Sequence, residues 1–256
     1  MDDKPYVGLT MGDPCGIGPE VVIKALIHSE IYEWCNPVII GNAASLRETV
    51  KILDIDMSIN HISDTDIGMS RVNQNAASVI DIGNLNYEDV TIGEINPGCG
   101  KAAMEWVSHA GRLAMSGAIG GIATAPLNKE AASLAGYEAI GHMELLQELT
   151  GSKTVATMLI AKNLRVVHLT THRSLRVACD YVKKDRILDY LRITDENFKK
   201  WGFENPRIGV AALNPHGSDG GLLGDEENDE ILPAVTQANS VGMPVEGPIP
   251  ADIIFH

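Results

Sequence analysis

Short apolar runs recur along the chain, and most are closed by glycine, proline or small polar residues and followed by apolar positions at helical spacing. Tyr6–Thr10 reads as a strand, and Pro19-Glu20 open a helix carrying Val21, Val22, Ala25 and Leu26. Val38–Ile40 reads as a second strand and Ala43–Leu53 as a second helix. Between Asp56 and Glu94 the pattern loosens into an excursion, with one strand at Ser78–Ile82. A helix after Gly98 and Gly100 places Ala103, Trp106, Val107, Ala110, Leu113 and Ala114 on one face. Ala118–Ala123 then reads as a buried strand, and Leu145, Leu146 and Leu149 as the core face of a helix beginning at His142. Val155–Ile160 and Leu164–Leu169 are expected to be strands joined by the turn Ala161-Lys162-Asn163. A polar helix over Lys184–Gly202, a buried strand over Ile208–Leu213 and an acidic helix around Asp229–Asn239 complete the series. Strands alternating with helices predict an α/β protein whose parallel sheet is built with crossover helices.

Composition narrows the partners. A formal charge of −14 lacks the basic surface that non-specific nucleic-acid binding requires. It leaves room for an anionic small molecule in a locally basic pocket. No apolar run is long enough to span a bilayer, and Met-Asp-Asp-Lys-Pro is no signal peptide, so a cytoplasmic location is expected. Cys15, Cys35, Cys99 and Cys179 show no C-x-x-C pairing, which favours reduced thiols over a disulfide framework or a thiolate zinc site.

Candidate chemistry gathers where strands end, because ligands of open α/β sheets bind beyond the carboxyl ends of the strands. After the first strand, Met11–Glu20 forms a glycine-containing loop in which Asp13 either caps the helix or meets a ligand. The loop has neither the Lys-Ser/Thr of a P-loop nor G-x-G-x-x-G. Thr124, Asn128 and Lys129 bring a hydroxyl, an amide and an ammonium to another strand end, suited to an oxygen-rich anion. The bland alternative makes Lys129 and Glu130 solvated helix-start residues and His142 a cap. His172 and His216 both lie just past strands, a start on a divalent metal site, although a histidine in a surface turn is the competing reading for His216. His168 reads as a satisfied core residue, His109 as solvated, and Asp252 either as a cap or as a site carboxylate. The chain stops within the apolar run Ile253-Ile254-Phe255, from which a further C-terminal part is expected.

Taken together, Gly12-Asp13-Pro14-x-Gly16-Ile17-Gly18-Pro19-Glu20, Thr124–Lys129, Gly141-His142-x-Glu144, Thr171-His172, Asn214-Pro215-His216 and Gly247-Pro248-x-Pro250-Ala251-Asp252 resemble the 4-hydroxythreonine-4-phosphate dehydrogenase family (PdxA-like). The resemblance runs through essentially the whole chain. It implies an α/β/α fold akin to isocitrate and isopropylmalate dehydrogenases, with two interleaved subdomains forming one catalytic region, and a homodimer with shared active sites. It also implies NAD-dependent (or NADP-dependent) oxidation of a phosphorylated C4 hydroxy acid, then decarboxylation assisted by one divalent cation: zinc, magnesium, manganese or cobalt. By motif, His172 and His216 would be metal ligands, and His142 and the residue at position 143 would bind substrate. Asp13, Thr124 and Lys129 are pocket candidates, Lys129 with a catalytic role, and Asp252 would support the metal or act as a base.

This sequence departs from the family pattern in three places. Met143 replaces a usual threonine, and Gly217-Ser218-Asp219 replaces Ala-Gly-Glu. A third metal histidine, further phosphate contacts and much of the NAD-binding segment are expected beyond residue 256. Leu127 and Met143 favour the D-threonate or D-erythronate 4-phosphate branch over 4-phosphohydroxy-L-threonine. Two other classes compete: a metal-dependent phosphoester hydrolase, and a non-catalytic or incomplete binder of phosphorylated ligands.

Overall fold

A computed structural model describes residues 4–69, 73–138 and 141–256. The chain forms two compact units, Met1–Ser152 and Lys153–His256.

In the first unit the elements run β1 (Tyr6–Thr10), α1 (Gly18–Leu26), α2 (Ile31–Trp34), β2 (Asn36–Ile40), α3 (Ala43–Ile52), β3 (Ser58–His61), β4 (Ala76–Ile80), α4 (Pro97–Met115), β5 (Gly121–Thr124), α5 (Lys129–Leu134) and α6 (His142–Thr150). The strands make one sheet of order β3-β4-β2-β1-β5, parallel throughout. Chain order moves outward from β1 through β2, then returns from β4 across the sheet to β5. Because such crossovers are right-handed, the reversal puts α4 on the opposite face from α1 and α3 and gives an α/β/α sandwich. The reversal also makes the space between β1 and β5 the topological switch point.

The core follows from the apolar runs. Val38, Ile39 and Ile40 of β2 are fully buried, as are Ile23 of α1, Leu46 of α3 and Trp106 of α4. The Trp106 indole Nε1–H donates to Asn84 Oδ1 at 2.9 Å, which satisfies the one polar atom of the largest core side chain. Gly100 is required where α4 meets α5, since a Cβ there would run into the Ala131 backbone.

Several expectations shift. The loose region contributes β3 as well as β4, so it completes the sheet instead of leaving it; β3 is short and mostly exposed, which hid it. The strand expected at Ala118–Ala123 starts at Gly121, because the Ala118 and Ile119 amides still bond back to Leu113 at the end of α4. It is an edge strand with Ala123 and Thr124 exposed, not a buried one. His109 is not solvated: its Nε2 lies 2.9 Å from Asp64 Oδ1, and its side chain is 16% exposed.

The second unit contains β6 (Thr157–Ala161), β7 (Leu164–His168), α7 (Leu175–Asp180), α8 (Lys184–Lys200), β8 (Ile208–Ala211), α9 (Leu232–Ser240) and β9 (Val245–Ile249). β6 and β7 form an antiparallel hairpin around Lys162-Asn163, with Lys162 at φ 54°. β8 and β9 pair in parallel as a separate two-stranded sheet. The helix expected to be polar, α8, carries a stripe of Ile187, Leu188 and Leu191 that packs with Ile231, Ala234 and Val235 in this unit's core. β8 alternates half-buried and exposed residues and is not buried on both sides. His168 is half-buried in β7 and is not a core residue.

Candidate functional site

The first unit builds its site at the switch point. After β1 the chain must fold back on the β5 exit, and Gly12 allows it with φ 74°, where a Cβ would strike the Pro126 carbonyl. The Asp13 N–H donates to Pro126 O at 2.9 Å, which ties the two loops together. Asp13 is 7% exposed. Its Oδ1 accepts from Cys15 N–H at 3.0 Å, and its carboxylate accepts from the Asn128 side chain. It does not cap α1, whose N-cap is Ile17 with no side-chain bond. Burial raises the Asp13 pKa, and the bonds from Cys15 and Asn128 pull it back.

Asn128 also caps α5, with its Oδ1 accepting from Ala131 N–H at 3.0 Å. Lys129, the first residue of α5, is left exposed at that helix start. His142 opens α6 but is not its cap; that position belongs to Gly141. The imidazole is half-buried and its Nε2 is fully enclosed without a hydrogen-bond partner among the described residues. Burial holds its pKa below the usual histidine value, the Lys129 ammonium adds to that, and Glu144 opposes it. A neutral imidazole with a free Nε2 beside an ammonium is equipped to bind an anionic, hydroxyl-bearing molecule. Met143 and Thr124 are exposed.

Thr10 and the Cys15–Cys99 pair escaped the sequence reading. Thr10 is fully buried opposite Thr124 in the β1–β5 register, and its Oγ1 has no partner among the described residues. Cys15 Sγ lies 3.3 Å from Cys99 Sγ, both buried, and burial followed by the Cys15 contact pushes the Cys99 thiol up. Separated by 84 positions, the two cysteines carried no pairing signal.

In the second unit His172 stands four residues beyond β7, at φ 53° and exposed. His216 lies five residues past β8 and its side chain is 67% exposed. Its loop is held by Asn214, whose Oδ1 accepts from His216 N–H at 2.9 Å, while Gly217, Ser218, Asp219 and Gly220 all take positive φ. Fully buried Glu227 anchors the strand exit by accepting from Leu213 N–H at 2.9 Å. Asp219 Oδ2 approaches His216 Nδ1 to 3.8 Å. Asp252 is exposed in the turn after β9. Because β8 and β9 are parallel, that turn and the His216 loop share one sheet end, and Ala251 N–H reaches Asn214 O at 3.3 Å.

No group of three His, Cys, Asp or Glu side chains suited to a metal ion occurs among the described residues. His172 and His216 therefore supply at most two of the ligands that a divalent cation takes from a protein.

The family model for the pyridoxal phosphate biosynthetic protein PdxA matches residues 33–256. The chain belongs to the PdxA family. Its PdxA relatives include a Clostridium botulinum protein with the provisional name D-threonate 4-phosphate dehydrogenase, 39% identical over 256 residues, all of this chain and 76% of that protein. A Halalkalibacterium halodurans protein of the same provisional name is 40% identical with the same coverage. Among solved structures, a 4-hydroxythreonine-4-phosphate dehydrogenase from Burkholderia phymatum superposes with a TM-score of 0.91 at 39% identity, covering 99% of this chain and 76% of that one. The α/β/α class expected of a PdxA protein is the class observed. No helix among the described residues is long and apolar enough to cross a membrane.

Proposed function

We propose that this PdxA-family chain is a dehydrogenase that oxidises a secondary alcohol of a 4-phosphorylated C4 hydroxy acid, D-threonate 4-phosphate first, with NAD as hydride acceptor. The observation that carries the reading is exposed Lys129, next to the Asn128 that bonds buried Asp13, acting electrostatically on His142, whose enclosed Nε2 has no hydrogen-bond partner among the described residues. Family membership and the names of the 39–40% identical relatives support the substrate class.

In this reading Lys129 receives an anionic group of the substrate. His142, held neutral at physiological pH, bonds a substrate oxygen through Nε2. Asp13 keeps Asn128 and the two loops in register, so that both groups stay at the switch point. A bound nicotinamide would supply the hydride acceptor, while the alcohol proton passes to a base, for which Asp252 is the candidate; the catalytic part of Lys129 is its charge against the substrate anion. Oxidation precedes decarboxylation, because a β-keto acid loses carbon dioxide readily only once its ketone exists. His172 and His216 are the proposed histidine ligands of a divalent cation, and two donors do not complete such a site. A homodimer with shared sites, a cytoplasmic location and service of both units in one catalytic region belong to the same proposal.

The test is formation of reduced nicotinamide with D-threonate, D-erythronate and hydroxythreonine 4-phosphates and unphosphorylated threonate, with and without chelator. Reduction that requires the phosphate and falls at least tenfold in Lys129→Met is expected. Equal rates with unphosphorylated threonate, or no reduction with any substrate, would overturn the proposal.

A further inference from the structure

Two buried thiols of the first unit take no part in the proposed chemistry. Cys15 lies on the loop between β1 and α1, two residues past Asp13, and Cys99 lies in the first turn of α4. They are 2% and 0% exposed, and their Sγ atoms stand 3.3 Å apart. A disulfide holds its sulfurs at about 2.05 Å, so ~1.2 Å of closure separates this pair from a bond. Packing decides which side gives. α4 is fixed where Gly100 meets the Ala131 backbone and by fully buried Trp106, whereas Cys15 sits on a turn, so the loop takes up the closure.

One segment is bonded to both cysteines. Gly93 N–H donates to Cys15 O at 2.8 Å, and Asn96 Oδ1 accepts from Cys99 N–H at 3.2 Å. The Asn96 side-chain amide in turn donates to Asp89 O at 2.8 Å. Residues 91–95 between these anchors are all exposed, so little apolar burial holds the segment down, and it opens locally at far lower cost than the fold unfolds. Gly93 takes φ 88°, a conformation that a side chain disfavours, although a Cβ there would meet nothing within 4 Å. The two thiols also differ. Burial, the Cys15 contact and the carboxylates of Asp13 and Asp89 all hold Cys99 as the neutral thiol. Cys15, on the loop that the segment covers, is the sulfur an oxidant meets first when the segment opens.

We propose that Cys15 and Cys99 form a two-electron redox site that consumes a hydroperoxide and locks the β1–α1 loop onto α4. The Cys15 sulfur attacks one oxygen of hydrogen peroxide and the O–O bond breaks. The departing oxygen takes the thiol proton and leaves as water, so that Cys15 becomes a sulfenic acid. The Cys99 sulfur then displaces the hydroxyl from Cys15, the S–S bond forms, and the hydroxyl leaves with the Cys99 proton as a second water. Two thiols are oxidised by two electrons in all, and one peroxide is reduced by two. A dithiol reverses the lock by exchange. The bond joins positions 84 apart and restricts the unfolded chain accordingly. Any effect of the lock on turnover rests on the proposed function, whereas formation of the bond does not.

The test treats the folded chain with hydrogen peroxide, quenches it with an alkylating agent and maps the peptides by mass spectrometry. A linked Cys15–Cys99 peptide, lighter by two hydrogens and restored by dithiothreitol, should form at least tenfold faster than any product at half-buried Cys35 or Cys179. Gly93→Ala, which strains the covering segment without a clash, should speed its formation at least threefold. In Cys99→Ala, Cys15 should stop at a sulfenic acid that dimedone traps. In the oxidised chain the Cys15 and Gly93 amides should exchange at least tenfold more slowly, and the thermal unfolding midpoint should rise by at least ~5 °C. Oxidation at Cys35 or Cys179 first, sulfinic acid at Cys15 with no cross-link, or a cross-link only between two molecules would overturn the proposal. A rate unchanged by Gly93→Ala would overturn the part assigned to the covering segment. None of these readouts uses turnover, so the outcome stands apart from the dehydrogenase proposal.

Discussion

Asn128 joins the two loops of the switch point through two bonds with different chemistry, and substitution separates them. Its Oδ1 caps α5 at Ala131 N–H, and its amide donates to buried Asp13. Asn128→Ala removes both. A lost cap costs about 1 kcal/mol and a lost bond to a charged partner about 1.5–3 kcal/mol, for a total of about 2.5–4 kcal/mol. That is a large part of the ~5–15 kcal/mol that holds a typical domain folded. Asn128→Asp keeps the cap but sets a second carboxylate against Asp13, so its cost should be large at pH 7 and shrink as acid protonates one of the pair. The sign for Asp13 alone agrees. Its folded pKa is raised, so its stabilising contribution is present below the unfolded carboxylate value and is lost as pH rises through the folded one. At neutral pH the ionised form is a cost, which the Cys15 and Asn128 donors offset. Urea denaturation followed by circular dichroism at pH 4 and pH 7, with exchange of the Cys15 amide as a local probe, measures each term. An Asn128→Ala loss no larger than ~1 kcal/mol, the cap alone, would mean that the bond to Asp13 contributes nothing. An Asn128→Asp loss that does not change with pH would refute the reasoning.

Two other outcomes are expected. In an NMR titration His142 should lose its proton below the usual ~6.5. Lys129→Met should raise that midpoint and Glu144→Gln lower it further; because the folded pKa is depressed, the contribution of His142 to stability is present above ~6.5 and is lost as pH falls through the folded value. Arg186 bonds Leu169 O through Nε and Nη2 at 3.3 and 3.2 Å and lies over the rings of Tyr181 and Tyr190. Arg186→Lys cannot keep that fork and should cost about 1–2 kcal/mol in thermal or urea unfolding, with faster amide exchange from Leu169 to His172.

What the sequence determined is the part of the protein set by local spacing. The runs at β1 and β2 are closed by residues that cannot extend a strand, and α1 and α3 follow with one apolar face each, so the alternation and the α/β class were readable directly. Motifs at strand ends were readable for the same reason: the loops of Asp13 and Asn128-Lys129 meet because the parallel strands β1 and β5 deliver them to one sheet end. The tertiary structure decided everything that depends on distant neighbours. His109 has Asp64 45 positions away, Cys15 has Cys99 84 away, and nothing local announces either pairing. For Asp13 the sequence left a helix cap and a ligand contact open, and folding excluded the cap by giving it the Asn128 amide and a buried seat. β3 and β9 were missed because short strands are stabilised by the ladder they join, and the partner is not written into their own residues. His172 and His216 stand four and five residues past their strands, and the positive φ of His172, Ser218 and Asp219, which are not glycines, was not written into the local sequence. Periodicity fixes which face of an element is buried, but only packing decides what it is buried against, and burial with its partners sets the pKa of each site group.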